Sequence, residues 1–228
     1  LIDPEGVAAA QVSNGMRYQQ GKLTATWADE TLSLTAGMEA IRYEGKPEIR
    51  LPYDESSAVQ PERVGKEKGI EGAGFLNMEL EVSEATSLIA GLRVSRYAHL
   101  GPDTLYQYLP GEPRTVNTTT GQQVYDRGPI QTYGGWEPRV ALRQNLSPRT
   151  SLKLSYARLY QYIQSVSSTV GPTPIDLWQL STVNIPPQRA DNFSLGLFTN
   201  SEGNTWEYTV DAFYRLGENQ VEYRDFAN

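Results

Sequence analysis

Ten charged side chains fall at alternate positions between apolar residues: Glu39, Glu79, Glu81, Arg93, Arg139, Arg143, Lys153, Glu207, Asp211 and Arg215. Mixed carboxylates and cations at that spacing can pair with one another or with a partner surface, or can simply line a solvated wall. Catalysis finds little support. His99 is the only histidine and lies just past a predicted strand end, and no spacing singles out a nucleophile for a Ser-His-Asp site. The run Gly69-Ile70-Glu71-Gly72-Ala73-Gly74 does not fit a dinucleotide fingerprint and precedes a strand, where its glycines relieve crowding. Asn117-Thr118-Thr119 and Asn192-Phe193-Ser194 match the glycosylation sequon by chance, the second inside a predicted strand. Neither a catalytic nor a metal-ligating set is expected, and no cofactor. Aromatic residues offer a second chemistry. Tyr106, Tyr108, Tyr125 and Tyr133 fall in one long loop, and Trp178 in another beside Asp176. Aromatic faces stack on sugars and flat ligands while a carboxylate accepts hydrogen bonds, although loops also use aromatics to pack against each other. Pro172, Pro174, Pro186 and Pro187 stiffen the loop that carries Trp178.

Composition narrows the setting. With 228 residues the chain can be one large β domain. The absence of cysteine excludes disulfides and thiolate metal sites, and a net charge of -7 argues against a nucleic-acid partner. No run reaches the 18 or so apolar residues of a membrane helix. The mean hydropathy of -0.50 would suit a soluble protein, but a barrel averages each lipid-facing residue against a polar neighbour inside.

The elements that must position these side chains are strands. Leu88, Ala90, Leu92 and Val94 share one face, and Gly91, Arg93 and Ser95 the other. Leu76, Met78, Leu80 and Val82 oppose Asn77, Glu79 and Glu81, while Leu32, Leu34, Ala36 and Met38 oppose Ser33, Thr35, Gly37 and Glu39. The same alternation runs through Arg139 to Arg143, Leu152 to Ala157 and Trp206 to Arg215, and more weakly through Lys22 to Trp27 and Asn192 to Thr199. Eight strands in four hairpins are predicted. Tight turns at 28–31, 83–86, 147–150 and 201–204 alternate with long loops from about Gly45 to Lys68, His99 to Gly135 and Gln164 to Arg189.

Periodicity alone does not separate a soluble sandwich from a membrane barrel. The sorting of short turns from long loops does favour a barrel of the outer membrane, as do strands long enough to cross a bilayer. Trp27 and Trp206 beside tight turns, and Trp136, Tyr160, Tyr162 and Tyr214 toward the loops, suggest two aromatic girdles; Tyr43 and Tyr97 fall on the opposite parity.

Ala90-Gly91-Leu92-Arg93, followed by Tyr97 and Gly101-Pro102, resembles a strand and loop entry of TonB-dependent outer-membrane receptors. So do Trp136-Glu137-Pro138-Arg139, Leu152 to Arg158 with Gln161-Tyr162-Ile163, Pro174 to Trp178, Pro186-Pro187-Gln188 and Phe213-Tyr214-Arg215, in that order across about Glu71 to Asn228. The resemblance implies a 22-stranded, up-and-down antiparallel barrel with an N-terminal plug, importing a scarce nutrient across the Gram-negative outer membrane with energy transmitted by TonB. This chain carries no plug or TonB box, opens without an export signal and ends on Asp225-Phe226-Ala227-Asn228 rather than an aromatic. Residues 1–228 are therefore expected to be an internal section of one barrel domain. Its partners would be outer-membrane lipid, the plug and remaining strands, TonB through the absent N-terminal part, and a surface lipoprotein docked on the loops. Glu39, Glu79, Glu81, Arg93, Arg139, Arg143, Lys153 and Asp211 would face the lumen and plug. Tyr106, Tyr108, Tyr125, Asp176 and Trp178 would meet ligand. Two other readings stay open: a complete eight-stranded barrel with a structural or adhesive role, and a soluble carbohydrate-binding sandwich.

Overall fold

The computed structural model describes residues 10–53, 57–58, 62–63, 67–112, 116–166 and 177–221. Eight long strands make one antiparallel sheet: β1 (Ala10–Ala28), β2 (Leu32–Pro52), β4 (Lys68–Ser83), β5 (Thr86–Leu100), β8 (Pro129–Ser147), β9 (Thr150–Gln161), β12 (Gln188–Asn200) and β13 (Glu207–Glu218), each paired with its neighbours in that order. Short strands belong to the long connections. β3 (Glu62–Arg63) pairs with β2; β6 (Asp103–Tyr108) and β7 (Thr119–Tyr125) form one hairpin; β10 (Ile163–Val166) and β11 (Leu177–Leu180) form another. All four tight turns lie where the sequence places them, but β2 continues to Pro52 and β8 begins at Pro129, so regular pairing extends into the first two expected long loops. The terminal strands β1 and β13 pair only inward and not with each other, so the sheet is open and the closed eight-stranded barrel is not formed.

The tight turns hold through side chains that mimic a backbone turn. The Asp29 carboxylate accepts the Thr31 and Leu32 amides, both at 2.9 Å, which holds its pKa below the ordinary carboxylate value. At the next two, Ser83 Oγ accepts the Ala85 amide at 3.3 Å and Ser147 Oγ the Arg149 amide at 3.2 Å. At the fourth, Ser201 Oγ accepts the Trp206 amide at 2.9 Å, and Gly203 takes the left-handed conformation (φ 77°) that a side chain would resist.

Register sorts the side chains into two faces. One carries Trp27, Met38, Leu76, Leu92, Trp136, Leu154, Phe193 and Val210, all exposed. Among the described residues no second sheet covers this apolar face, which a soluble sandwich would require. The opposite, inner face carries the charges within the span of the apolar band and nearly all buried wall residues, among them Tyr43, Glu71, Tyr97, His99 and Glu137, while Arg42, Arg96, Arg158, Arg189 and Asp191 take the outward parity toward the long connections. The long strands run 12 to 21 residues, above the 9–11 or so that a tilted strand needs to cross hydrocarbon.

Candidate functional site

Four adjacent strands build an inner-wall cluster from in-register rows. Gly37, Phe75, Arg93 and Glu137 form one row across β2, β4, β5 and β8; the next holds Glu39, Ala73, Ser95 and Gly135, and the third Ile41, Glu71, Tyr97 and Tyr133. Arg93 extends from the first row to gather carboxylates from all three. Its Nη1 donates to Glu137 Oε1 at 2.7 Å, and its Nη2 donates to Glu71 Oε1 at 2.8 Å and Glu39 Oε2 at 3.1 Å. The Tyr43 hydroxyl donates to the remaining Glu71 oxygen at 2.9 Å, and Gln20 donates to Glu39. A planar guanidinium with five donors suits such multiple engagement better than an ammonium. One cation against three carboxylates leaves a formal excess of two negative charges within the cluster.

Above this cluster the third long connection folds back onto the inner face. The Tyr162 ring stacks on Tyr97 with centroids 5.0 Å apart and planes 7° apart, and its hydroxyl shares a 2.8 Å hydrogen bond with Ser95 Oγ. Tyr43 tilts against Tyr97 at 6.4 Å, and Leu180 completes the buried group. The Tyr97 ring also lies over Gly69, where an added Cβ would stand 2.6 Å from its hydroxyl, so close approach accounts for one glycine of the run at 69–74. Tyr133 donates to the Thr182 carbonyl at 2.6 Å, while Glu67 accepts from Gln179 Nε2 at 2.5 Å and the Leu180 amide at 3.0 Å. β10–β11 is thereby pinned over the inner wall.

Burial pushes the Glu67 carboxyl up to about 7, with Asp103 adding to the rise and the Leu180 amide opposing it. A carboxyl raised in the folded state binds its proton more tightly there, so the contribution is complete below the ordinary value near 4.5 and is lost as pH rises through about 7. Hydrogen exchange at the Leu180 amide, corrected for intrinsic rate, should therefore show less protection at pH 8 than at pH 5.5, and Glu67→Gln should flatten that difference. A pH-independent protection factor in the unmodified protein would contradict the assignment.

Of the side chains expected in the lumen, Glu39 and Arg93 meet in the cluster. Glu79, Glu81, Arg139, Arg143, Lys153 and Asp211 share the inner face but form no ion pair among the described residues. Arg139 lies across Gly91, and Asp211 over Gly196. Glu71, Glu137, Tyr43 and Tyr97 complete the site beyond the sequence-based selection, although their parity with Glu39 and Arg93 was readable. Tyr162 requires correction. It is 2% exposed inside the cluster and not in an outer girdle, because β9 ends at Gln161 and the chain turns inward there. The loop aromatics do not converge: Tyr106, Tyr108 and Tyr125 sit on β6–β7, Trp178 sits half-exposed on the separate β10–β11 sheet, and Asp176 lies outside the described residues. Among the described residues no group of three His, Cys, Asp or Glu could hold a metal ion.

An antiparallel sheet that is apolar outside and charged inside, with tight turns at one end and long loops at the other, defines an outer-membrane β-barrel wall. The family model described as TonB dependent receptor-like, beta-barrel matches residues 7–228, and the chain belongs to that family. These are Gram-negative outer-membrane receptors that act in transport and are not enzymes. Among solved structures the chain is similar to the copper transporter OprC, with 18% identity and a TM-score of 0.54 over 88% of this chain and 31% of that one. It is also similar to a double mutant of the Serratia marcescens hemophore receptor HasR, in complex with its hemophore HasA and heme. There the identity is 14% and the TM-score 0.52, over 92% of this chain and 34% of that one. The chain thus spans about a third of each of these structures. No curated protein matches it.

Proposed function

We propose that this chain is one section of the barrel domain of a receptor that imports a nutrient across the outer membrane with energy relayed by TonB, and that its inner-wall cluster seats a plug supplied by the rest of the protein. The observation that carries this reading is the carboxylate excess around Arg93, held in register across four strands and facing inward. A cluster with unneutralised negative charge is complementary to a cationic group on whatever fills the lumen beside it. Glu79, Glu81, Arg139, Arg143, Lys153 and Asp211 extend that surface below the cluster. Tyr106, Tyr108, Tyr125, Asp176 and Trp178, on loops at the far end, would capture ligand or dock a surface lipoprotein. Copper in one similar structure and a heme-bearing hemophore in another are the substrates to try first. Cells making the receptor should accumulate its labelled nutrient only with intact TonB, and Glu71→Ala/Glu137→Ala should reduce accumulation while the barrel still assembles. Equal accumulation without TonB would overturn the proposal.

A further inference from the structure

All three long connections meet at one carboxyl. Glu67 ends the first of them, immediately before β4, and its carbonyl accepts the Gly45 amide at 2.8 Å, which fixes it to β2. Its carboxyl accepts Gln179 and the Leu180 amide of the third connection. From the second, Asp103 of β6 adds to the rise in the Glu67 carboxyl, and Asp103 Oδ2 stands 3.3 Å from His99 Nε2. Tyr97 of β5 is the remaining ionisable neighbour. β2 meets Glu67 through the Gly45 backbone, and β11 through an amide side chain and an amide N–H, none of them charged.

The hairpin β10–β11 is held on the wall by terms that oppose one another. Leu180 and Tyr162 bury apolar surface against Tyr97, and Tyr133 holds the Thr182 carbonyl. The same docking leaves the Tyr97 hydroxyl and Ser181 Oγ buried with no hydrogen-bond partner among the described residues, and water would satisfy both once the hairpin lifts. An ionised Glu67 beside Asp103 adds to that opposition, because burial disfavours the charged form and a like charge disfavours it further. A protonated Glu67 does not. It keeps one oxygen to accept the Leu180 amide and no longer repels Asp103. An element whose contacts so nearly offset one another can be moved by a single charge.

We propose that β10–β11 is an acid-closed lid over the inner wall, held down while the Glu67 carboxyl carries its proton and released when that carboxyl ionises. The docked carboxyl binds its proton more tightly than the released one, so docking weakens as pH rises from about 4.5 to about 7 and is level above that. Lifting the lid breaks the Tyr162–Ser95 hydrogen bond and uncovers Tyr97 above the Arg93 cluster. The whole receptor, in nanodiscs and free of other cysteines, would carry spin labels at Ser165 on β10 and Thr132 on β8, both exposed. Pulsed electron resonance reads the docked population as a narrow distance and the released one as a broad distribution. The docked-to-released ratio should fall about tenfold or more between pH 5 and pH 7.5. Glu67→Gln should hold the ratio equal at both, while His99→Gln should leave the fall in place, which separates the carboxyl from the imidazole. An unchanged ratio in the unmodified receptor would overturn the proposal, as would the same fall in Glu67→Gln or its loss in His99→Gln. If Glu67→Gln does not assemble, the unmodified receptor decides the matter by its direction and range. A docked population that rises with pH, or that changes only above pH 7, would overturn the proposal.

Discussion

Arginine placed at Leu154 or Leu92 is expected to cost about 2–4 kcal/mol of barrel stability. Both leucines lie on the outward face, part-way along their strands and flanked on that face by further apolar residues, Leu152 and Tyr156 in one case, Ala90 and Val94 in the other. In lipid a guanidinium there would have to shed water or drag it into hydrocarbon, and no carboxylate lies beside it on that face. Urea titration in lipid vesicles, followed by the heat-modifiable gel shift, measures the cost. The same substitution at Ser155, on the inner parity next to Leu154, should cost far less, because a wet lumen accepts charge. Equal tolerance at Leu154 and Ser155 would mean that the apolar face does not meet lipid.

Removing the central cation should cost about 3 kcal/mol. In Arg93→Met, Glu39, Glu71 and Glu137 would face one another without a counter-charge, and breaking a buried ionic group from one side typically costs about 3–5 kcal/mol. The lower figure applies because the Arg93 side chain keeps 15% of its exposure. Adding Glu71→Gln and Glu137→Gln should recover most of the loss, since the penalty lies in the stranded carboxylates rather than in a missing contact. A triple variant no more stable than Arg93→Met would show that the cluster does not act as an electrostatic unit.

The strand architecture was legible because register and parity are local properties. Leu88 to Ser95 alternates with Ile89 as its one exception, and Asp29, Ser83, Ser147 and Ser201 announce turns through their own hydrogen-bonding chemistry. The Arg93 cluster was legible only in part. Parity put Glu39 and Arg93 on one face, but their meeting depends on the pairing of β2, β4, β5 and β8, which joins positions 54 residues apart in sequence. Glu71 was hidden inside a glycine run and Glu137 inside a strand motif. Tyr162 was misplaced because period-two alternation carries no signal for the point at which a strand stops, and the inward turn after Gln161 is a tertiary event. The loop hairpins β6–β7 and β10–β11 were likewise unseen, since strands of four to seven residues are too short for alternation to declare them.

The account stands most directly on sidedness. Single cysteines at Thr119, in the second long connection, and at Ser147, in a tight turn, would be treated on intact cells with a membrane-impermeant thiol reagent; the chain has no cysteine of its own to compete. Antiparallel strands that each cross once put all tight turns on one side and all long connections on the other. Labelling at Thr119, with Ser147 reacting only after the cells are broken, is the result expected. Labelling at Ser147 on intact cells with Thr119 protected would invert the wall, and labelling at both would contradict a membrane-spanning sheet.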